Sequence, residues 1–262
     1  MTRILISLVL AAFLVREVLE FQRRYLRLKL DLERGDPNAR LRLYRRGLVF
    51  EGASALLALL ALRFDARALT PGSLALADSP LVRAFTGEAS RGMLPGILSG
   101  LVVGTIGLFV ARRRAGKASL AGAGLADRLR RMLPDFGALL PVTARERATW
   151  LAVAVAAGVC EEIVFRGWLL SVLHAPIGLH GTALIVAAAI VFGLAHLYQG
   201  PVGAALTGLA ALLFIGLYVA TGSLLVPILL HVAVDARFAL LPAPARNAGA
   251  PRALAFDAGS SR

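Results

Sequence analysis

Charged side chains are scarce in the C-terminal half of the chain, and three of them stand close together. Glu161, Glu162 and Arg166 lie in the apolar segment ATWLAVAVAAGVCEEIVFRGWLL. All four histidines of the chain fall between residues 148 and 241, where the charged residues are only these five: Glu161, Glu162, Arg166, Asp235 and Arg237. Ionisable groups in such an apolar stretch are costly and usually functional. Any chemistry of the chain is therefore predicted to lie here.

The acidic pair has two different predicted environments. On a helix, Glu162 and Arg166 are four residues apart and can pair, whereas Glu161 points about 100° away and has no local partner. A free carboxylate beside a histidine is a candidate general base. The purely structural alternative is that both glutamates lock helices together through Arg166. One arginine does not neutralise two buried acids, which argues against that alternative.

Histidines supply the remaining candidate groups. His196 closes an apolar segment one turn after Phe192, and His231 and Asp235 are four residues apart, where a carboxylate can orient an imidazole or simply join two helices. Together Glu161, His196, His231 and Asp235 come from three predicted helices, which is the arrangement needed to surround one water and one carbonyl. The motifs Gly-x-Ser-x-Gly and His-Glu-x-x-His are absent from the sequence.

Composition sets the fold class. The 262 residues are 58% hydrophobic with a mean hydropathy of +0.72, too apolar for an ordinary soluble domain. We expect an all-α, polytopic transmembrane helix bundle with its active site in the membrane. Seven apolar stretches are predicted to span, near residues 3 to 21, 47 to 63, 93 to 111, 148 to 170, 180 to 197, 202 to 220 and 223 to 241. The net charge of +13 indicates contact with anionic lipid rather than nucleic acid, because no nucleic-acid-binding motif is present.

Three regions are predicted along the chain. Residues 1 to 142 form a transmembrane scaffold. The two basic loops, 23 to 46 and 112 to 147, are predicted to face the cytoplasm, and LADRLRRMLP in the second loop suggests an amphipathic surface helix. Residues 143 to 241 form the catalytic core, starting at a capping box of Thr143 and Glu146 just before Trp150, a predicted interfacial anchor. Residues 242 to 262 form a tail predicted to be disordered.

These motifs resemble the CPBP family of intramembrane proteases, which includes the CAAX prenyl endopeptidases and the bacterial Abi and bacteriocin self-immunity proteins. The family motifs are Glu-Glu-x-x-x-Arg, Phe-x-x-x-His and His-x-x-x-Asn or a variant. They correspond here to residues 161 to 166, 192 to 196 and 231 to 235. The resemblance covers roughly residues 143 to 240, and three motifs in order are more specific than any one of them.

The resemblance implies an endopeptidase that hydrolyses membrane-associated peptides or proteins. Glu161 and His196 would activate water, His231 and residue 235 would stabilise the oxyanion, and Glu162 and Arg166 would support them. Asp235 departs from the family's asparagine, because an ionised carboxylate accepts hydrogen bonds where an amide donates. Glu161, His196 and His231 would suit zinc or another divalent metal, and a metal-free glutamate mechanism is equally open.

Other readings of the residues are a non-proteolytic scaffold or immunity protein of the same fold and an ion-coupled transporter, although no inverted repeat supports the transporter. The expected location is a bacterial inner membrane, and the expected partners are membrane lipids and a peptide substrate. Because His196 lies at a helix end and Glu161 about 16 Å along its helix from Trp150, a shared site requires the turn after His196 to be buried in protein or to line a wet cavity.

Overall fold

The computed structural model describes residues 2–63, 69–74, 76, 79–86, scattered positions between 96 and 110, and 137–241. The described residues form helices and no strand. The α helices are α1 (Thr2–Glu33), α2 (Ala39–Ala61), α3 (Pro80–Thr86), α4 (Ala144–Glu162), α5 (Leu170–His174), α6 (Gly181–Ala195), α7 (Gly200–Thr221) and α8 (Leu225–Ala236). A π-helical segment, Ile163–Leu169, joins α4 to α5, and short 3₁₀ turns occupy Pro71–Leu74, Gly137–Leu139, Leu197–Gln199 and Arg237–Leu240.

Helices α1 and α2 form a hairpin that corrects the predicted basic loop of residues 23 to 46. Only residues 34 to 38 separate the two helices, because the arginine- and leucine-rich ends favour helix. In this turn Arg42 donates to Asp36 at 2.6 Å and the Asn38 N–H donates to the same carboxylate at 2.9 Å. Both contacts hold the pKa of Asp36 below its ordinary value. All basic residues of this stretch except Arg34 therefore lie in helices rather than in a loop.

Helix α4 begins as the sequence predicts. The Glu146 N–H donates to the Thr143 hydroxyl, and the Glu146 carboxylate accepts from the Thr143 N–H, which completes a capping box. Trp150, expected to be an interfacial anchor, packs edge to face against Tyr44 at a centroid distance of 5.4 Å. Its indole N–H donates to the Asp235 carbonyl oxygen at 2.8 Å. Trp150 therefore fixes α4 against α2 and α8.

Glycines set the closest helix crossings. A Cβ on Gly193 would lie 2.7 Å from the Ala204 carbonyl oxygen, and one on Gly208 would lie 3.2 Å from that of Ala189, so α6 and α7 cross backbone to backbone. Close approach at small residues is the common means of packing helices in membranes. A Cβ on Gly158 would meet α8 in the same way. These contacts hold α6 against α7 and α8 against the C-terminal half of α4.

The prediction of seven spans is only partly supported. Two helical segments of the described residues are long and apolar enough to cross a membrane, Ala144–His174 and Leu197–Thr221, and Gly181–Ala195 is apolar but shorter. The predicted last span contains the 12-residue helix α8, about 18 Å long against a hydrocarbon core of about 30 Å. The predicted span at 93 to 111 (apart from isolated positions), the amphipathic helix LADRLRRMLP and the tail from residue 242 lie outside the described residues.

Candidate active site

Three side chains from three helices converge at the centre of the helical core. The Glu161 Oε2 atom of α4 lies 3.9 Å from His196 Nε2, at the end of α6, and 3.9 Å from His231 Nε2, in α8. The three side chains are between 9% and 15% exposed. Glu161 Oε2 is buried and accepts no hydrogen bond from the described residues. The three atoms thus surround a point to which each can contribute a polar contact.

Both imidazoles are oriented from behind. His196 Nδ1 lies 2.9 Å from the carbonyl oxygen of Phe192, and His231 Nδ1 lies 2.9 Å from Glu162 Oε1. Because each of these oxygens only accepts, Nδ1 carries the proton in both rings. In the neutral imidazoles, Nε2 therefore presents its lone pair toward Glu161. The family motif residue Phe192 acts here through its backbone as well as through its ring.

This geometry corrects the predicted partner of His231. The spacing of four allows Asp235 to orient His231, but Asp235 Oδ2 lies 3.8 Å from Nε2, on the front of the ring. Glu162, which comes from α4, holds the ring from the back through Nδ1. Spacing within α8 could not reveal this partner, because it lies on another helix. Asp235 is the most accessible of the acidic groups here, with 30% of its side chain exposed.

Glu162 and Arg166 form the predicted pair, fully inside the protein. Arg166 Nη1 lies 3.1 Å from Glu162 Oε1, and the two side chains are 1% and 0% exposed. The guanidinium carbon lies 4.6 Å and 5.2 Å from the ring centroids of Phe192 and Phe214. Arg166 lies in the π-helical segment, a feature that often marks functional sites. Arg166 thus counters the charge of the carboxylate that orients His231.

The turn after His196 lies against other parts of the protein. The Tyr198 ring packs edge to face on Phe21 and Tyr25 of α1, with centroids 4.6 Å and 6.0 Å apart. Gly200, at φ 83°, gives the left-handed backbone that ends the 3₁₀ turn and starts α7. This packing lets a histidine at a helix end reach a glutamate in the middle of α4.

A further buried carboxylate near the site was missed by the sequence analysis. Glu51 of α2 is 9% exposed and interacts electrostatically with Glu161, His231 and Asp235. Helices α2 and α4 run in the same direction, so that Glu51 lies roughly one turn before the level of Glu161. A signal was available, because Glu51 interrupts the apolar run LVFEGASALLALLAL, the criterion that identified Glu161.

The donor atoms of the site are of the types that bind metals, but the distances between them are longer than in a bound metal site. Imidazoles and carboxylates are common zinc ligands. Here two imidazoles offer Nε2, and an oxygen atom holds each ring through its Nδ1. Ligand atoms of one tetrahedral zinc lie roughly 3.4 Å apart, so the 3.9 Å separations would have to contract. Within the described residues, no group of three or more His, Cys, Asp and Glu side chains is placed to hold a metal ion.

Comparison with known proteins gives one match. Residues 143–237 match the protein family described as Type II CAAX prenyl endopeptidase Rce1-like. No curated protein and no solved structure matches the chain. The matched segment contains all six site residues predicted from the sequence, Glu161, Glu162, Arg166, His196, His231 and Asp235. Residues 143–237 are therefore similar to the Rce1-like family of CAAX prenyl endopeptidases, whose members are membrane-embedded.

Proposed function

We propose that this chain is an intramembrane endopeptidase that hydrolyses peptide bonds of membrane-associated peptides or proteins. The observation that carries the proposal is the convergence of Glu161 Oε2 with the Nε2 atoms of His196 and His231 at 3.9 Å. A water oxygen about 2.8 Å from both Glu161 Oε2 and one histidine Nε2 would see these two atoms at an angle of about 90°. This angle is suitable for a water molecule that hydrogen-bonds to both. A water held there would donate one proton to Glu161 and one to His196.

Hydrolysis then follows from the charges of these groups. Glu161 takes a proton as the water oxygen bonds to the scissile carbonyl carbon, and the carbonyl electron pair moves to its oxygen. Glu161 returns the proton to the leaving nitrogen as the carbon–nitrogen bond breaks. His231, when protonated on both nitrogens, donates Nδ1–H to Glu162 and can donate Nε2–H to the oxyanion. Asp235 would favour that protonated imidazole from 3.8 Å.

A metal-assisted form of the same reaction is the second possibility within this proposal. Glu161, His196 and His231 would hold a divalent ion such as zinc. A bound zinc ion would supply Lewis-acid polarisation of the scissile carbonyl. Elemental analysis of the purified protein, with activity measured before and after chelation, separates the two forms. Full activity of metal-free protein would exclude the zinc form, and activity restored only by added metal would establish it.

The setting that we propose is the inner membrane of a bacterium, with lipids around the helices and no nucleic-acid partner. The apolar faces of Ala144–His174 and Leu197–Thr221 support a position in the bilayer. The proposed substrates are small membrane-bound peptides or the ends of membrane proteins, since a site held by helices inside the membrane reaches chains that are themselves at the membrane.

The deciding experiment compares wild type with Glu161→Ala and His196→Ala on a membrane peptide library, with new termini identified by mass spectrometry. Glu33→Ala, at an exposed acid that ends α1, is the matched control. We expect new termini from wild type and Glu33→Ala only. If equally folded wild type produced none, or if Glu161→Ala produced as many as wild type, a non-proteolytic scaffold or immunity protein would be the better explanation.

A further inference from the structure

The substitution at position 235 leaves the proposed reaction short of a hydrogen-bond donor. The family pattern has asparagine there, whose amide can donate to a developing oxyanion, whereas the chain has Asp235. A carboxylate accepts hydrogen bonds and has no N–H to offer. Preorganised donors at the oxyanion are usually the largest single contribution to such catalysis. Another neutral donor near Glu161 would fill this role.

Tyr198 has a hydroxyl group near these acids. It follows His196 by two residues, with ring centroids 5.8 Å apart. Its hydroxyl group interacts electrostatically with both Glu161 and Asp235. The ring itself is fixed by edge contacts with α1, so that the hydroxyl is held in place by a rigid aromatic body.

A directed hydrogen-bond relay leaves the Tyr198 proton free to donate. Thr207 Oγ1 of α7 donates to Gln199 Oε1 at 3.2 Å, and Gln199 Nε2 donates to the Tyr198 hydroxyl oxygen at 3.2 Å. Because that oxygen already accepts, its own O–H points away from Gln199. Among the described residues, this O–H donates no hydrogen bond. Such an arrangement suits a donor waiting for a ligand oxygen.

We propose that Tyr198 is a further catalytic residue, whose hydroxyl donates a hydrogen bond to the scissile carbonyl oxygen as negative charge develops on it. The inference rests on the proposed peptidase function. As water adds to the carbonyl carbon, its proton passes to Glu161 and the carbonyl pair becomes the oxyanion that Tyr198 and His231 share. Tyr198 keeps its proton throughout, and when the carbon–nitrogen bond breaks, the carbonyl re-forms and the leaving nitrogen takes the proton from Glu161.

The test measures kcat and KM of the full chain in detergent for a peptide that wild type cleaves. Tyr198→Phe keeps both ring contacts and removes only the hydroxyl. We expect it to lower kcat by about 10²–10³-fold, the usual effect of losing one oxyanion donor, with KM nearly unchanged. Tyr218→Phe is the matched control, because the Tyr218 hydroxyl is buried and without a partner in the described residues, and it should leave kcat unchanged.

Two further measurements separate catalysis from support of the fold. Thr207→Val breaks the relay at its far end, and we expect a smaller fall in kcat than for Tyr198→Phe. A peptide analogue of the tetrahedral intermediate should bind Tyr198→Phe more weakly by a factor similar to the loss of kcat, whereas an unreactive product peptide should bind both proteins equally. A structural role would weaken both ligands alike.

The outcomes distinguish this inference from the function on which it rests. If wild type turns over the peptide and Tyr198→Phe has the same kcat, with or without a change in KM, the role of Tyr198 is overturned and the peptidase function stands. No turnover by wild type, or turnover that Glu161→Ala preserves, would overturn the peptidase and Tyr198 with it. Loss of kcat in Tyr198→Phe but not in Tyr218→Phe, with weaker binding of the tetrahedral analogue alone, supports the assignment.

Discussion

At Gly158 the backbones of α4 and α8 lie close together, and adding one methyl group there tests the architecture of the site. A Cβ on Gly158 would lie 2.5 Å from Val232 Cγ2 and 2.9 Å from the Val232 backbone nitrogen. An ordinary contact begins at 3.4 Å, so α8 must move by about 0.5 Å at its backbone. Val232 directly follows His231, whose 2.9 Å hydrogen bond to Glu162 would be strained by that movement.

We expect Gly158→Ala to destabilise the protein through this steric contact by about 1–3 kcal/mol, the usual cost of overpacking. Alanine also favours helix over glycine by about 1 kcal/mol, which masks part of the loss. Gly52→Ala in α2 is the matched control, because a Cβ there meets nothing within 4 Å and gains the same helix preference. The difference between the two variants therefore isolates the steric contribution.

The assay is denaturant or thermal unfolding in detergent, followed by the fluorescence of the two tryptophans. Val232→Ala in the Gly158→Ala background should recover part of the loss, because it removes the 2.5 Å contact and leaves the one to the backbone nitrogen. Peptidase activity should fall in Gly158→Ala and partly return in the double variant. Equal stability of Gly158→Ala and Gly52→Ala would show that α8 does not pack on α4 in this way.

Three further changes probe other contacts. In the same unfolding assay, Gly193→Ala should cost about 1–3 kcal/mol, because its Cβ would lie 2.7 Å from the Ala204 carbonyl oxygen; unchanged stability would argue against the α6–α7 crossing. Arg166→Met leaves the buried Glu162 without its cation, so we expect the free energy of unfolding to fall by about 3–5 kcal/mol. Adding Glu162→Gln should restore part of it, and a fall below about 1 kcal/mol would contradict the pair. Thr143→Ala removes the cap of α4 and should cost about 1 kcal/mol, with faster hydrogen exchange at the start of that helix; unchanged exchange would refute the cap.

Local features of the chain were open to prediction because they depend on residues a few positions apart. The apolar composition gives an all-helical fold, the Thr143 and Glu146 spacing gives the start of α4, and the spacing of four gives the pair of Glu162 with Arg166. The order of the three motifs predicts the similarity to CAAX prenyl endopeptidases that residues 143–237 show. Span lengths were less well predicted, because hydropathy alone does not show that the helix in the predicted last span, α8, has only 12 residues.

The contacts between helices were decided by the tertiary structure alone. Sequence spacing offered Asp235 as one carboxylate able to orient His231, but the crossing of α4 and α8 at Gly158 puts Glu162 behind that ring. Glu51 reaches the site only because α2 lies alongside α4. Helical periodicity specifies which side chains share one helix face, whereas the side chains that meet across two faces depend on how closely the backbones approach and at what level they cross.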